Sequence, residues 1–188
     1  MELKIKQYGF TDFYIRNNKS DDWVINEVLR PSTYQKALDI NKNDIVLDLG
    51  LNIAAFSVLW GYKAQKCFAY EPDEENFTIA KKNIELNKIK NCYIYNKAIV
   101  GSNKKNVLKK TKANKLKIDI EGAEYEVLKA IKNWDQIDAI IFEWHKNFLK
   151  DNNNIKLKEI EKIIKSNFKN TLGNFNTKGW MNIISAKK

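Results

Sequence analysis

Two short stretches concentrate the side chains able to do acid–base work. LKIDIEGAEYEVLK, residues 116–129, carries Asp119, Glu121, Glu124 and Glu126, and IIFEWH, residues 140–145, carries Glu143 and His145, the one histidine of the chain. Both stretches alternate. Leu116, Ile118 and Ile120 fall on one side against Lys117, Asp119 and Glu121 on the other, while Ile141, Glu143 and His145 oppose Phe142 and Trp144. A period of two describes a strand with one polar face, whereas a central parallel strand is normally apolar on both faces. If the two strands are neighbours, their acids and the histidine converge at one sheet edge. An imidazole whose pKa lies near ambient pH can take a proton from a reacting hydroxyl. His145 is therefore the expected general base, with Glu143 or Glu121 orienting it and Asp119 beside them. The oxygens of Asp119 and Glu121 with the imidazole of His145 could alternatively hold Mg²⁺ or Mn²⁺. Glu124 and Glu126 read differently, as acids in the first turn of a helix, where they complement its dipole.

A second constellation points to a nucleoside. DLGLNIAAF, residues 48–56, follows an apolar run and opens a helical pattern, so backbone N–H groups are offered to a ligand there. Glu71 ends the next strand about twenty residues on and is placed to accept from two ribose hydroxyls. Only Gly50 stands where a dinucleotide fingerprint has three glycines, so a pyrophosphate is poorly served. A ribose with a small charged tail and no phosphate fits better, and S-adenosylmethionine has that shape. The competing reading is an ordinary β–α turn in which Asp48 bonds loop amides.

The elements that must position these residues follow from periodicity. From Asp44 onward, strand-like runs (IVLDLG, CFAYE, CYIYNKAIV, LKIDI, IDAIIFEWH) alternate with helical patterns (AAFSVLWGYKA, DEENFTIAKKNIELNK, GAEYEVLKAIKNW, IKLKEIEKIIKSN). A closing pair, FKNTLGNF and GWMNIISAK, is joined by a turn around Asn176 to Gly179. Such alternation predicts a mostly parallel sheet with helices on both faces. Its ligands bind beyond the carboxyl ends of the strands, where strand order reverses. The lysine-rich GSNKKNVLKKTKANK, residues 101–115, is expected to be a loop.

The chain has 188 residues, 44% of them hydrophobic and 12% aromatic, enough for one folded domain. We divide it into a lead-in over residues 1–43 and a Rossmann-like core over 44–188. No apolar run approaches the ~20 residues of a membrane span, and MELKIKQYGF lacks the features of a secretory signal, so the expectation is a soluble cytoplasmic protein. Two cysteines, Cys67 and Cys92, each begin an apolar run, the setting of reduced core thiols, and exclude a cysteine-built metal site by number. A net charge of +10 invites nucleic acid. The lysines are dispersed, however, and basic residues signal binding chiefly when clustered.

DIVLDLGLNIAAFS, FAYEPDEENF, LKIDIEGAEYEVLK and IIFEWH, in this order, resemble the FkbM family of S-adenosylmethionine-dependent methyltransferases, and SDDWVINEV with Tyr34 extends the resemblance upstream. The family implies a class I methyltransferase fold, an α/β seven-stranded sheet whose last strand is antiparallel. Carried over by position, it puts Asp48, Gly50 and Asn52 around the methionine part of the cofactor and Glu71 on its ribose. Asp21 and Glu27 would lie near the cofactor's amino-acid end or the lid of the site. Ala54 departs from the family's usual glycine, and ordinary helical dihedrals at that position would tolerate the change. The joint between strands three and four is also shorter than in many relatives. The family further implies O-methylation of a sugar hydroxyl in a glycan, polysaccharide precursor or glycosylated metabolite. An RNA methyltransferase, favoured by Lys104, Lys105, Lys109, Lys110 and Lys112, is the first rival. A non-catalytic binding module that keeps the fold is the second.

Overall fold

The structure, a computed structural model, describes residues 2–17, 19–30, 33–99, 104–175, 179 and 181–188. It opens on a hairpin, β1 (Leu3–Tyr8) and β2 (Thr11–Arg16), followed by α1 (Lys19–Val28) and α2 (Tyr34–Leu38). The core then alternates β3 (Ile45–Leu49), α3 (Ala55–Leu59), β4 (Lys66–Tyr70), α4 (Glu74–Leu86), β5 (Cys92–Tyr95), α5 (Lys104–Thr111), β6 (Lys115–Ile118), α6 (Glu124–Ala130), β7 (Ala139–His145) and α7 (Ile155–Asn167), and closes with β8 (Asn170–Leu172) and β9 (Met181–Lys187).

Seven strands form one sheet in the order β5-β4-β3-β6-β7-β9-β8. The neighbours from β5 to β7 pair in parallel, and β9 runs antiparallel to both β7 and β8. The expected topology, mostly parallel with an antiparallel last strand, is therefore present. Strand order reverses between β3 and β6, which puts the two chemistry-bearing ends, Leu49 and Ile118, side by side. Two buried clusters flank the sheet. One gathers β2, α1, α3 and α4 residues such as Phe13, Ile25, Phe56 and Ile79, and the other gathers α6 and α7 residues such as Leu128, Leu157 and Ile160.

Local chemistry explains the elements that hold the site. Asp73 caps α4 by accepting from Asn76 N at 2.8 Å, and Glu74 and Glu75 follow in the first turn, where the dipole favours acids. The buried Asn83 of the same helix accepts from Tyr14 N (2.7 Å) and donates to Tyr14 O (3.1 Å) and Ile53 O (2.9 Å). One satisfied amide thus ties the hairpin to the loop after β3.

Three element expectations change. The helix expected over AAFSVLWGYKA is α-helical only to Leu59. It breaks at Trp60, whose indole donates to Val28 O at 2.8 Å, and continues as a 3-10 turn over Gly61–Lys63. The third strand stops at Tyr95, because Asn96 turns its side-chain amide onto Glu71 O (2.9 Å) and Pro72 O (3.2 Å). The lysine-rich segment is not a loop over 104–111 but helix α5, which packs Val107 and Leu108 on the second cluster; lysine is a good helix former, and two apolar anchors suffice. The side chains of Lys104 and Lys105, and residues 176–178 of the expected closing turn, lie outside the described residues.

Candidate functional site

Two cavities open at the carboxyl edge of the sheet and share Gly50, Asn52, Asp119 and Glu121 as a common wall. The first, about 350 Å³, runs from this wall past Glu71 and Asp73 to Ala98 and Ile99. The second, about 270 Å³, continues to Trp23, Glu27, Tyr34, Glu143, His145 and Phe148. The geometry is that of a bipartite cleft across the point where strand order reverses.

The loop after β3 is held from several sides. Gly50 N and Leu51 N donate to Tyr70 O at 3.1 and 2.9 Å. Gly50 has φ +86, and a Cβ there would sit 1.6 Å from Asp119 O, so only glycine lets the loop lie against β6. Asn52 N donates to Glu71 Oε2 at 2.7 Å and Asp73 N to Oε1 at 2.9 Å. Burial raises the Glu71 carboxyl above its ordinary pKa, and the Asp73 and Asn52 amides oppose the rise. Each of its oxygens accepts one of these bonds and retains capacity for a second, and the residue lines the first cavity.

Beneath the loop lies a buried ion pair that carries much of the architecture. Lys117 points its ammonium to Asp48 Oδ1 at 3.2 Å and Asp119 Oδ2 at 3.6 Å, and donates to Gly50 O. Burial would lower its pKa, but Asp48 and Asp119 outweigh that and hold Lys117 charged, well above its usual range. Asp48 is fully buried, accepts from Ser57 Oγ at 2.8 Å, and lines neither cavity. Asp48, expected beside a cofactor, thus does not reach either cavity, and Lys117 links it to the Gly50 loop and to Asp119.

His145 corrects a second expectation. Its Nδ1 donates to Glu124 Oε1 at 2.8 Å, and Gly122 N donates to both oxygens of Glu124 at 3.1 and 3.0 Å. Nε2 faces Glu143 Oε1 at 3.4 Å and Asp119 Oδ1 at 3.9 Å. Burial alone would lower the imidazole pKa, but the hydrogen bonds to Glu124 and Glu143 push it up to about 10. A ring so held keeps its proton at neutral pH, which points away from the base role expected of it. Glu124, read from sequence as a helix-starting acid, is fully buried and anchors this ring; Glu126 is exposed on α6 as expected.

The remaining acids separate. Glu27 lines the second cavity, and its carboxylate has no hydrogen-bond or ion-pair partner among the described residues. Burial, then the charges of Glu143 and Asp119, raise its pKa to about 7 against the opposing pull of Lys117 and Arg30. Asp21 is not at the cleft. It is buried in a fork with Arg16, accepting from Arg16 N at 2.8 Å and Nη2 at 2.7 Å, so its role is to anchor the hairpin. The imidazole and carboxylate oxygens that lie within 4.8 Å of one another come from Asp119, Glu143 and His145. Glu121, expected as a cation ligand, stands outside that group and is exposed. Ala54 has φ +70 and ψ +23, left-handed rather than helical, and lines neither cavity. The methyl group therefore affects the loop's strain and not its approach to a ligand.

Lys117 and Glu124 are the site residues that pattern reasoning passed over. Lys117 shares the period-two face of Asp119, and a lysine inside a buried strand is itself a signal of a fixed counter-charge.

Residues 104–170 match the family model described as the methyltransferase FkbM domain, a family of S-adenosylmethionine-dependent methyltransferases. That segment carries Lys117, Asp119, Glu121, Glu124, Glu143 and His145, so the resemblance read from the motifs is borne out where the acids lie. No curated protein matches the sequence. Among solved structures, the chain is similar to TYW2 of M. jannaschii in complex with AdoMet, at 16% identity and TM-score 0.61, covering 98% of this chain and 85% of that one. It is similar also to a precorrin-6y C5,15-methyltransferase from Geobacter metallireducens, at 13% identity, TM-score 0.60 and 94% of each chain. A dimethyladenosine transferase from Plasmodium falciparum gives 14% identity and TM-score 0.58, covering 88% of this chain, which spans 61% of that one. At these identities the likeness establishes the fold alone, the Rossmann-like α/β fold shared with class I methyltransferases.

Proposed function

We propose that the protein transfers a methyl group from S-adenosylmethionine to a hydroxyl of a sugar, in a glycan, polysaccharide precursor or glycosylated metabolite. The observation that carries this reading is the bipartite cleft with its shared wall. Glu71 lies on the nucleoside side, and the second cavity offers aromatic faces at Trp23, Tyr34 and Phe148 among carboxylates, the mix that stacks on sugar rings and accepts from their hydroxyls.

In this reading Gly50 and Asn52 border the methionine part and Glu71 receives the ribose hydroxyls. Asp119 and Glu121 stand at the junction where the methyl passes. The carbon–sulfur bond breaks as the acceptor oxygen attacks in line, and the sulfonium becomes a neutral thioether. Holding the two reactants in that geometry can replace roughly 7–11 kcal/mol of barrier. The acceptor's proton goes to Glu27, whose pKa of about 7 suits a base working near neutrality. His145, charged and held from behind by the buried Glu124, fixes the carboxylate of Glu143 beside the acceptor. Tyr34, Asp119, Glu143, Lys117 and Arg30 are the titratable and charged groups acting on Glu27.

The test is twofold. S-adenosylhomocysteine binding, followed by calorimetry, should be measurable, and labelled methyl should pass to oligosaccharides or deoxy sugars; label appearing only in total RNA overturns the acceptor class. With an acceptor in hand, kcat/KM should rise with pH through about 7 in the wild type. Glu27→Gln should flatten that limb and lower kcat roughly hundredfold or more, with little change in cofactor affinity. An unaltered pH profile removes Glu27 from the role.

A further inference from the structure

The second cavity is acidic on a chain whose net charge is +10. Four carboxylates line it, Glu27, Asp119, Glu121 and Glu143, with two cationic groups, Lys117 and His145. Both cations are already committed. Lys117 is paired at 3.2 Å with the fully buried Asp48, and His145 at 2.8 Å with the fully buried Glu124. Asp119 and Glu143 share those same two cations, at 3.6 Å from Lys117 and 3.4 Å from His145, so two cations face six carboxylates, and those of Glu27 and Glu121 make no hydrogen bond or ion pair with any described residue. S-adenosylmethionine brings a sulfonium and an ammonium against one carboxylate, a net single positive charge. That leaves most of the excess on the acceptor side of the shared wall.

The walls point the same way. Trp23 and Phe148 are more than half exposed, at 55% and 61%, and both line this cavity. An aromatic face beside a carboxylate favours a cation over a neutral group. Resting on the methyltransferase reading, we infer that the acceptor carries an ammonium group next to the hydroxyl to be methylated, as an amino sugar does, and that Glu121 and Glu143 receive that ammonium. The rest of the surface repels such a ligand, because the chain is strongly basic. Affinity for a cationic sugar must therefore come from the cavity itself.

The experiment compares three β-1,4-linked tetrasaccharides of one shape: the glucosamine tetramer, its fully N-acetylated form, and cellotetraose, with hydroxyls in place of the amino groups. Binding of S-adenosylhomocysteine is measured first by calorimetry, and its absence sinks the methyltransferase reading together with this one. With that ligand bound, at slightly acidic pH where the amines are charged, the glucosamine tetramer should bind at least tenfold more tightly than either neutral tetramer. Glu121→Gln, a change at an exposed side chain, should shrink that preference at least threefold, read as the ratio of glucosamine-tetramer to N-acetylated-tetramer affinity with S-adenosylhomocysteine saturating. Equal affinities, preference for a neutral tetramer, no binding of any of the three, or displacement of the glucosamine tetramer by micromolar Mn²⁺ overturns the inference while leaving the cofactor reading intact.

Discussion

Ala54 shows how a single dihedral can change the meaning of a substitution. At φ +70 an L-residue is strained by about 1–2 kcal/mol relative to glycine. Glycine, in turn, gives up a fully buried methyl, about 0.8 kcal/mol, and loses roughly 0.5–1 kcal/mol to chain entropy. These contributions nearly cancel. Ala54→Gly should leave stability within about 0.5 kcal/mol of the wild type, read as an unchanged denaturant midpoint at constant m-value; a loss of a full kcal/mol or more, as in an ordinary helix, contradicts the left-handed conformation. The family resemblance marks position 54 as one where relatives carry glycine, but not what the alanine does there. The same limit applies to His145. Its position at a strand end was legible from alternation, but its charge depends on Glu124, which arrives from the start of another element and looks from sequence like a dipole acid. That Gly50, Asn52, Glu71 and Asp119 stand along the cleft was legible because backbone approach and strand-end placement are local properties, whereas Asp21 lies away from it because its Arg16 partner belongs to a hairpin that the pattern does not announce.

Between elements, the decisive contact is Lys117 of β6 with Asp48 of β3, which pins the Gly50 loop from below. Removing one partner of a buried pair strands the other charge, so Lys117→Met should cost about 3–5 kcal/mol. Asp48→Leu should cost a comparable amount. The double variant, with neither charge, should recover much of the loss, giving a coupling of about 2 kcal/mol or more in a double-mutant cycle. Thermal and denaturant unfolding of the four proteins decides this, and additive losses would show that the pair does not act as a unit. The β–α alternation that brings β3 and β6 together was readable because 2.0 and 3.6 periodicities are strong over the core. The β1–β2 hairpin was not, since β1 exposes four consecutive residues and buries only Tyr8 fully. Helix α5 was missed for a related reason: with Val107 and Leu108 as its apolar contacts, lysine content outweighed periodicity.

Across the whole molecule, charge is divided by location. Acids collect at the carboxyl edge of the sheet, while exposed lysines sit on both of its faces, Lys81 and Lys82 on α4 against one buried cluster and Lys109, Lys110, Lys158 and Lys162 on α5 and α7 against the other. No helix among the described residues is long and apolar enough to cross a membrane. A polyanion tracking one face would engage only the few lysines on that face, because the sheet separates the two sets. Weak, non-specific RNA binding is therefore expected, with a dependence of log K on log salt no steeper than about −2 to −3, the signature of roughly three or four phosphates on a single strand. Filter binding across a salt series reads the slope, and the labelled-methyl assay on the same RNA reads transfer. A slope beyond about −5 together with label in RNA would mean that the dispersed lysines form a continuous track, and would return the RNA reading to first place. A shallow slope without label leaves the basic surface as solvated helix faces and the acidic cleft as the part of the molecule that selects its partner.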